Sequence, residues 1–304
     1  MVHFHQGVEW RPLGAPGAVW RWDGILPPAA APAPWDGLQG PRPEGWQGRL
    51  TLVRGVGPVR QEWLRQRGYA DLLQLQAHPR YGEDARQAWD ELRARYVPGL
   101  RRRKLRDGEL LHLFAPEELL FLDIETMGLA PVFPLFLAGL AWWDGGCWRV
   151  VQLLARDFDE EPAVLAAVRQ EVGRATALVT YNGKSFDLPF LQMRLAFHGM
   201  DEGVQEAEQP GPWVFDLLGE VRRRLRAVLP DARLASVDRL LTGDRRAGDL
   251  PSSLVPEYYR HFVETRDGRW IDPVLVHNLE DVAAMIRVYA LLLGRAAPTS
   301  VRPA

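Results

Sequence analysis

Between Leu119 and Thr126 the chain runs Leu-Leu-Phe-Leu-Asp-Ile-Glu-Thr. A nearly unbroken apolar run of this length predicts a strand buried on both faces. Two acids interrupt it. Asp123 and Glu125 are two residues apart, so on a strand both side chains leave the same face. Carboxylates rising from a hydrophobic strand are costly to bury without compensation. A hard divalent cation, Mg2+ or Mn2+, supplies it through oxygen ligation. The competing reading is a strand end at which both acids simply reach water.

The flanking pattern is α/β. Leu135–Trp143 and Trp148–Leu154 read as strands, joined by the turn Asp144-Gly145-Gly146. A helix over Glu161–Arg174, a short strand over Ala177–Tyr181 and a helix over Ser185–His198 follow. Val214–Phe215 reads as a fifth strand. Helices are expected over Leu217–Val228, Leu234–Leu241, Pro256–Val263 and Pro273–Leu293. Three tightly joined strands followed by alternating strands and helices predict a mixed sheet flanked by helices.

Two further segments carry acids in suggestive places. Val179-Thr-Tyr-Asn-Gly-Lys-Ser-Phe-Asp-Leu-Pro-Phe190 sets a strand, a glycine turn and a helix start in order. Asp187 falls in the first helical turn, where the helix dipole favours an anion for that reason alone. In His277-Asn-Leu-Glu-Asp281 the first and last residues are i and i+4, so they share a helix face. Any single such pair is commonly a solvated face.

Together, and in this order, the three segments resemble the Exo I, Exo II and Exo III motifs of the DEDD 3′–5′ exonucleases, which have a ribonuclease-H-like fold. FLDIETMGL matches the first motif, YNGKSFDLPFL the second, and HNLEDV the third. The resemblance covers roughly 117–294 and is nearest to a bacterial branch of predicted ribonuclease-H-like exonucleases. It implies a catalytic set of Asp123, Glu125, Asp187, His277 and Asp281. The four carboxylates would hold two divalent cations, Mg2+ or Mn2+, roughly 3.5–4 Å apart. The tyrosine subclass of this family has Tyr four residues before the last Asp, and the histidine subclass has His five before it. Here His277 stands where the Tyr belongs, and Val276 where the His belongs. His277 would orient or deprotonate water, since an imidazole titrating near 6.5 suits a base. Thr126, Met127, Gly128, Leu129, Asn182, Lys184 and Phe186 lie beside the motifs and are candidates for substrate contact. Solvated-surface or core-packing roles compete for Lys184 and Leu129. Asp216 reads first as a helix N-cap.

The charge is uneven along the chain. Residues 1–116 carry 17 Lys and Arg against 12 Asp and Glu; residues 117–304 carry 20 against 27. Within 49–106 the count is 14 basic against 6 acidic. A basic part for phosphates beside an acidic part for metal suits a nucleic-acid enzyme, although chance patchiness also produces such splits. In the basic part, Leu52-Val-Arg-Gly-Val-Gly-Pro58 and the helix after it resemble a helix-hairpin-helix element, with a short first arm containing Gly48. Such an element lets backbone N–H groups approach a phosphate independently of base sequence. Gly55 and Gly57 would form the hairpin, and Arg54 and Arg60 would add charge. The competing reading is a glycine turn in a small helical domain.

Four regions follow: a Pro/Gly-rich segment 1–48, with an extended stretch Pro27–Pro43 and a short strand near Val19–Trp22; a basic helical module 49–106; the ribonuclease-H-like α/β domain 117–294; and a tail 295–304. The first 10 residues lack the pattern of a secretory signal, and no run approaches the ~20 apolar residues of a membrane span. Cys147 is the sole cysteine, which excludes an intrachain disulfide and fits a reducing cytoplasm. The expected activity is removal of nucleotides from 3′ ends of nucleic acid, with the hairpin favouring DNA. An inactive structure-specific DNA-binding protein and an exoribonuclease are the alternatives. The sequence names no protein partner.

Overall fold

The structure, a computed structural model, describes residues 11–12, 19–28, 30–31, 44–200, 212–243 and 250–293. Most of the Pro27–Pro43 stretch and the whole 295–304 tail lie outside the described residues. The chain divides into two compact units, one of residues 1–34 with 116–304 and one of residues 35–115. The smaller is therefore inserted into the chain of the larger.

The larger unit is built on a sheet of seven strands among the described residues: β1 (Arg11–Pro12), β2 (Trp20–Leu26), β3 (Leu119–Thr126), β4 (Leu135–Trp143), β5 (Trp148–Leu154), β6 (Ala177–Thr180) and β7 (Trp213–Asp216). Their order is β1-β2-β5-β4-β3-β6-β7. β3, β4 and β5 pair antiparallel, whereas β6 pairs parallel with β3 and with β7. The sheet is thus mixed and flanked by helices, the ribonuclease-H-like α/β arrangement that the sequence predicts.

Strand parity in β3 sorts its side chains. Leu120, Leu122 and Ile124 enter the core cluster with Val151, Leu153, Leu178 and Phe190. Phe121, Asp123 and Glu125 point the other way. There Phe121 meets Trp148 and Tyr289 edge-on, each with ring centroids 5.5 Å away. Tyr289 belongs to the long helix Gly268–Leu292, which lies over this face. The sequence predicts that this helix starts at Pro273. It starts five residues earlier because Asp267 caps it, accepting a hydrogen bond from the Arg269 N–H. Pro273 is carried inside the helix. No helix among the described residues is long and apolar enough to cross a membrane.

The N-terminal strand is also longer than the sequence predicts. β2 pairs with β5 over all seven residues, from Trp20 opposite Leu154 to Leu26 opposite Trp148. Gly24 hides this in the sequence by breaking the apolar alternation. A side chain there would strike the Trp22 indole, 2.4 Å from its Cβ position.

The smaller unit is helical, with main helices Pro58–Arg65 and Gly82–Arg93. Gly57 is the N-cap of the first, Pro58 its first residue, and Gly55 turns the chain with φ +77°. Among the described residues of this unit, only the four-residue helix Glu44–Gln47 and a 3-10 turn over Leu50–Leu52 stand before the turn. Not all of the basic charge faces outward. The nearly buried Arg103 side chain binds Glu91 at 2.6 Å, Asp84 at 3.0 Å and the Leu52 carbonyl at 2.9 Å. Arg101 pairs with Asp107 at 2.9 Å.

Candidate active site

The acids of the three motifs meet at the end of β3. Asp123 and Glu125 leave the face covered by the long helix. Asp187 opens the helix Asp187–Phe197 that follows β6, and its side chain is buried. The register between β3 and β4 slips between Glu125 and Thr126, ending regular pairing where the acids emerge. His277 and Asp281 come from the long helix, with His277 Nε2 3.6 Å from Asp281 Oδ2. His277 is buried, and its Nε2 also lies 3.3 Å from Ser252 Oγ.

Electrostatics shows how crowded the acids are. Burial, then the charges of Asp281, Glu125 and Asp187, hold Asp123 well above the usual carboxylate range. Burial lifts Glu125 to about 8; His277 opposes the rise, and Asp281 and Asp187 add to it. Burial lifts Asp187 to about 7 against backbone hydrogen bonds from Asp187 itself and Ile124, with Asp216 adding to the rise. Acids that raise one another's pKa in a desolvated corner suit a cation of high charge density. The donor set is wholly of hard oxygen, which fits Mg2+ or Mn2+. Asp123, Glu125, Asp187 and Asp281 are the residues that could hold such ions. Among the described residues no three His, Cys, Asp or Glu side chains stand in a finished ligand geometry.

The neighbouring candidates divide. Leu129 is 86% exposed, and Val132 and Phe133 of the same β3–β4 connection are also exposed. Gly128 sits so tightly under Phe133 that an added Cβ would lie 2.4 Å from the ring. Thr126 turns inward, its hydroxyl bonded to the Gly128 carbonyl at 2.8 Å, and so fixes the loop. Met127 and Phe186 pack against the core. Asn182 and Lys184 are exposed, and Asn182 takes the left-handed conformation at φ +67°. Their backbone N–H groups donate to Asp216 at 2.9 and 3.2 Å, and Asp216 also caps the next helix through the Leu218 N–H. Asp216 is an N-cap, as the sequence suggests, and in addition holds the turn of the second motif.

A cleft of about 980 Å³ adjoins the acids, with His277, Asp281, Asn182 and Ser252 in its wall and Arg222 and Arg233 among its lining. The two arginines and Ser252 lie outside the three motifs, so motif reading misses them. It also misses Asn278, whose Nδ2 donates to Asp123 Oδ2 at 2.8 Å. Its position inside HNLED was the available signal.

The four hairpin candidates lie in the smaller unit, within its own surface. Gly55, Gly57 and Arg60 line a hollow of about 710 Å³ together with Trp63, Arg80 and Tyr81. Arg60 Nη1 bonds the Gly55 carbonyl at 2.7 Å, and the Arg54 N–H donates to Asp84 at 2.6 Å.

Comparison with known proteins agrees with this architecture. Residues 120–293 match the family model of the RNase H superfamily. The uncharacterized protein YprB of Bacillus subtilis (strain 168) is 33% identical over 173 residues, covering 56% of this chain. The match takes in 41% of that relative's length. Among solved structures, the family B DNA polymerase of the hyperthermophilic archaeon Pyrobaculum calidifontis aligns with a TM-score of 0.48 and 19% identity, over 59% of this chain and 25% of the polymerase.

Proposed function

Because the chain belongs to the RNase H superfamily, we propose that it is a nuclease whose reacting centre is the acid cluster at the end of β3, acting as a metal-dependent 3′–5′ exonuclease on DNA. The observation that carries this reading is the gathering of Asp123 and Glu125 with two acids from distant segments, Asp187 and Asp281, in one corner where burial first, and then the neighbouring acids, raise Asp123 and Glu125. A protein gains no stability from assembling like charges in a desolvated corner. A bound pair of divalent cations would neutralise that cluster and supply Lewis-acid stabilisation of the attacking and leaving oxygens.

The chain's own groups have separable tasks. Asp123, Glu125, Asp187 and Asp281 hold the cations. His277, buried beside Asp281, orients the attacking water. The cleft receives the 3′-terminal nucleotide, with Arg222 and Arg233 available to its phosphates. Leu129, exposed on the β3–β4 connection, offers an apolar surface to a base, and Asn182 and Lys184 lie on the second-motif turn. In the smaller unit, the backbone N–H groups of Gly55 and Gly57 would meet a phosphate, and Arg54 and Arg60 would add charge. Such contacts supply affinity without sequence preference.

The test is degradation of DNA and RNA labelled at the 3′ or 5′ end by the purified protein, with Mg2+, Mn2+ or EDTA. Early release of the 3′-terminal label as a mononucleotide, abolished by EDTA and faster on DNA, is the expected result. Release from the 5′ end, or none with either ion, would refute the assignment. Faster cleavage of RNA would support the exoribonuclease alternative.

A further inference from the structure

One row of residues crosses the sheet beneath the long helix. Asp123 on β3 is opposite Gly139 on β4, and Gly139 is opposite Gln152 on β5. Neighbours in register point to the same face, so Asp123 and Gln152 flank a gap left by the glycine. Asn278 fills that gap. A Cβ on Gly139 would stand 2.2 Å from Asn278 Oδ1. Asn278 and Gln152 are both fully buried.

The hydrogen bonds in this row have a fixed direction. Gln152 Nε2 lies 2.8 Å from the Leu275 carbonyl, which only accepts, so this end of the Gln152 amide is its donor. The same Nε2 lies 3.0 Å from Asn278, whose facing atom must be the acceptor Oδ1. Asn278 therefore turns its own donor, Nδ2, to Asp123 Oδ2 at 2.8 Å. The backbone carbonyl of residue 275 thus decides, two amides away, that Asp123 meets a donor.

This arrangement is costly for the fold. Gln152 Oε1 is buried with no hydrogen-bond partner among the described residues. An unmet buried acceptor is a net loss to the fold. Apolar side chains at both 152 and 278 would avoid that loss, as the β5 neighbours Val150, Val151, Leu153 and Leu154 do. We propose that Gln152 is a positioning residue: through Asn278 it fixes the rotamer of Asp123, with Oδ2 as the hydrogen-bonded oxygen, and so orients this carboxylate toward a cation that the acid cluster would hold. The proposal rests on the metal-dependent reading of the acid cluster.

Gln152→Met removes the amide and keeps the volume. Mn2+ binding to the full chain is followed by calorimetric titration, and stability by thermal melting. Loss of a hydrogen bond that orients a ligand typically weakens metal affinity by about 10–100-fold. The expected result is that loss in Mn2+ affinity, with a melting temperature near wild type, because the unmet Gln152 acceptor is gone while Asn278 Oδ1 loses its donor. A purely structural role predicts unchanged affinity, whatever the melting temperature. Asn278→Leu should weaken Mn2+ binding similarly, and Gln152→Met added to it should cause no further loss, since one acts through the other. Mn2+ affinity within about twofold of wild type in Gln152→Met, or full additivity in the double variant, would overturn the proposal. If Gln152→Met does not fold, the Asn278→Leu protein carries the test: wild-type affinity there also overturns it. Absence of Mn2+ binding by the wild-type chain would instead overturn the reading of the acid cluster, and this proposal with it.

Discussion

The two units handle charge in opposite ways. In the smaller one, acids and bases are interleaved: Arg103 with Glu91 and Asp84, Arg101 with Asp107, Arg49 with Glu109 at 2.7 Å. Much of its basic excess is thus already answered within the unit. At the end of β3 the larger unit gathers four acids and leaves Asp123 and Glu125 mutually repelled. Paired charge serves the fold, whereas repelled charge waits for something from outside. The contrast is a better guide to chemistry than net charge, which would have pointed to the basic unit first.

The comparison breaks most sharply at the acids. Asp123→Ala or Asp281→Ala should reduce nuclease activity to background while circular dichroism stays unchanged. Near wild-type turnover in either folded variant would remove the cluster from the chemistry. His277→Ala should lose roughly 10²–10⁴-fold in kcat if the imidazole handles water. His277→Tyr should keep substantial activity, because a hydroxyl at that place still orients water; equal loss in both variants would argue against that role.

A melting series sharpens the same contrast without any substrate. Glu125 and Asp187 have folded pKa values of about 8 and about 7, above the usual ~4 of unfolded carboxylates. Both bind protons more tightly folded than unfolded. Their contribution to stability is therefore full below pH ~4 and is lost as pH rises through 7 and 8. The metal-free larger unit should melt at lower temperature at pH 8.5 than at pH 5.5. Mn2+ should raise the melting temperature more at pH 8.5, since binding need not displace protons there. In Asp123→Ala both differences should shrink. A metal-free melting temperature independent of pH over this range would contradict the rise that burial and neighbouring acids give these carboxyls.

The smallest effect is expected in the basic unit. Arg54→Ala with Arg60→Ala should weaken DNA binding across all sequences and reduce the salt slope by about 1–2. Cleavage at saturating DNA should be spared. An unchanged salt slope would assign the hairpin to folding alone.

What the sequence revealed follows the same division. β3 was legible because two acids in an apolar strand leave few arrangements open, and the motif acids were legible because the chemistry needs those side chains in that order. Partnerships made across the fold were not. Gln152 looks like an accident in an apolar strand until Asn278 is seen above Gly139. Arg103 reads as one more charge of the basic stretch 49–106, yet three partners from distant positions draw it inside. Thr126, Met127 and Phe186 were candidates by adjacency to the motifs; Thr126 is buried by strand parity, and Met127 and Phe186 lie half-buried against the core. The start of the long helix was hidden because Pro273 is a strong boundary signal and the Asp267 cap a weaker one.

The pairing of β2 with β5 has a consequence for how the protein is made. β2 ends at Leu26 and β5 begins at Trp148, so the whole smaller unit leaves the ribosome between them. At roughly 5–20 residues per second, β2 waits on the order of 6–25 s for its partner. During that interval Trp20, Trp22 and Leu26 have no sheet to join, while the smaller unit already has its full sequence and is free to fold. The nascent chain therefore carries the complete sequence of the smaller unit and an unclaimed, tryptophan-rich strand at the same moment. That strand is the segment a chaperone would most need to shield.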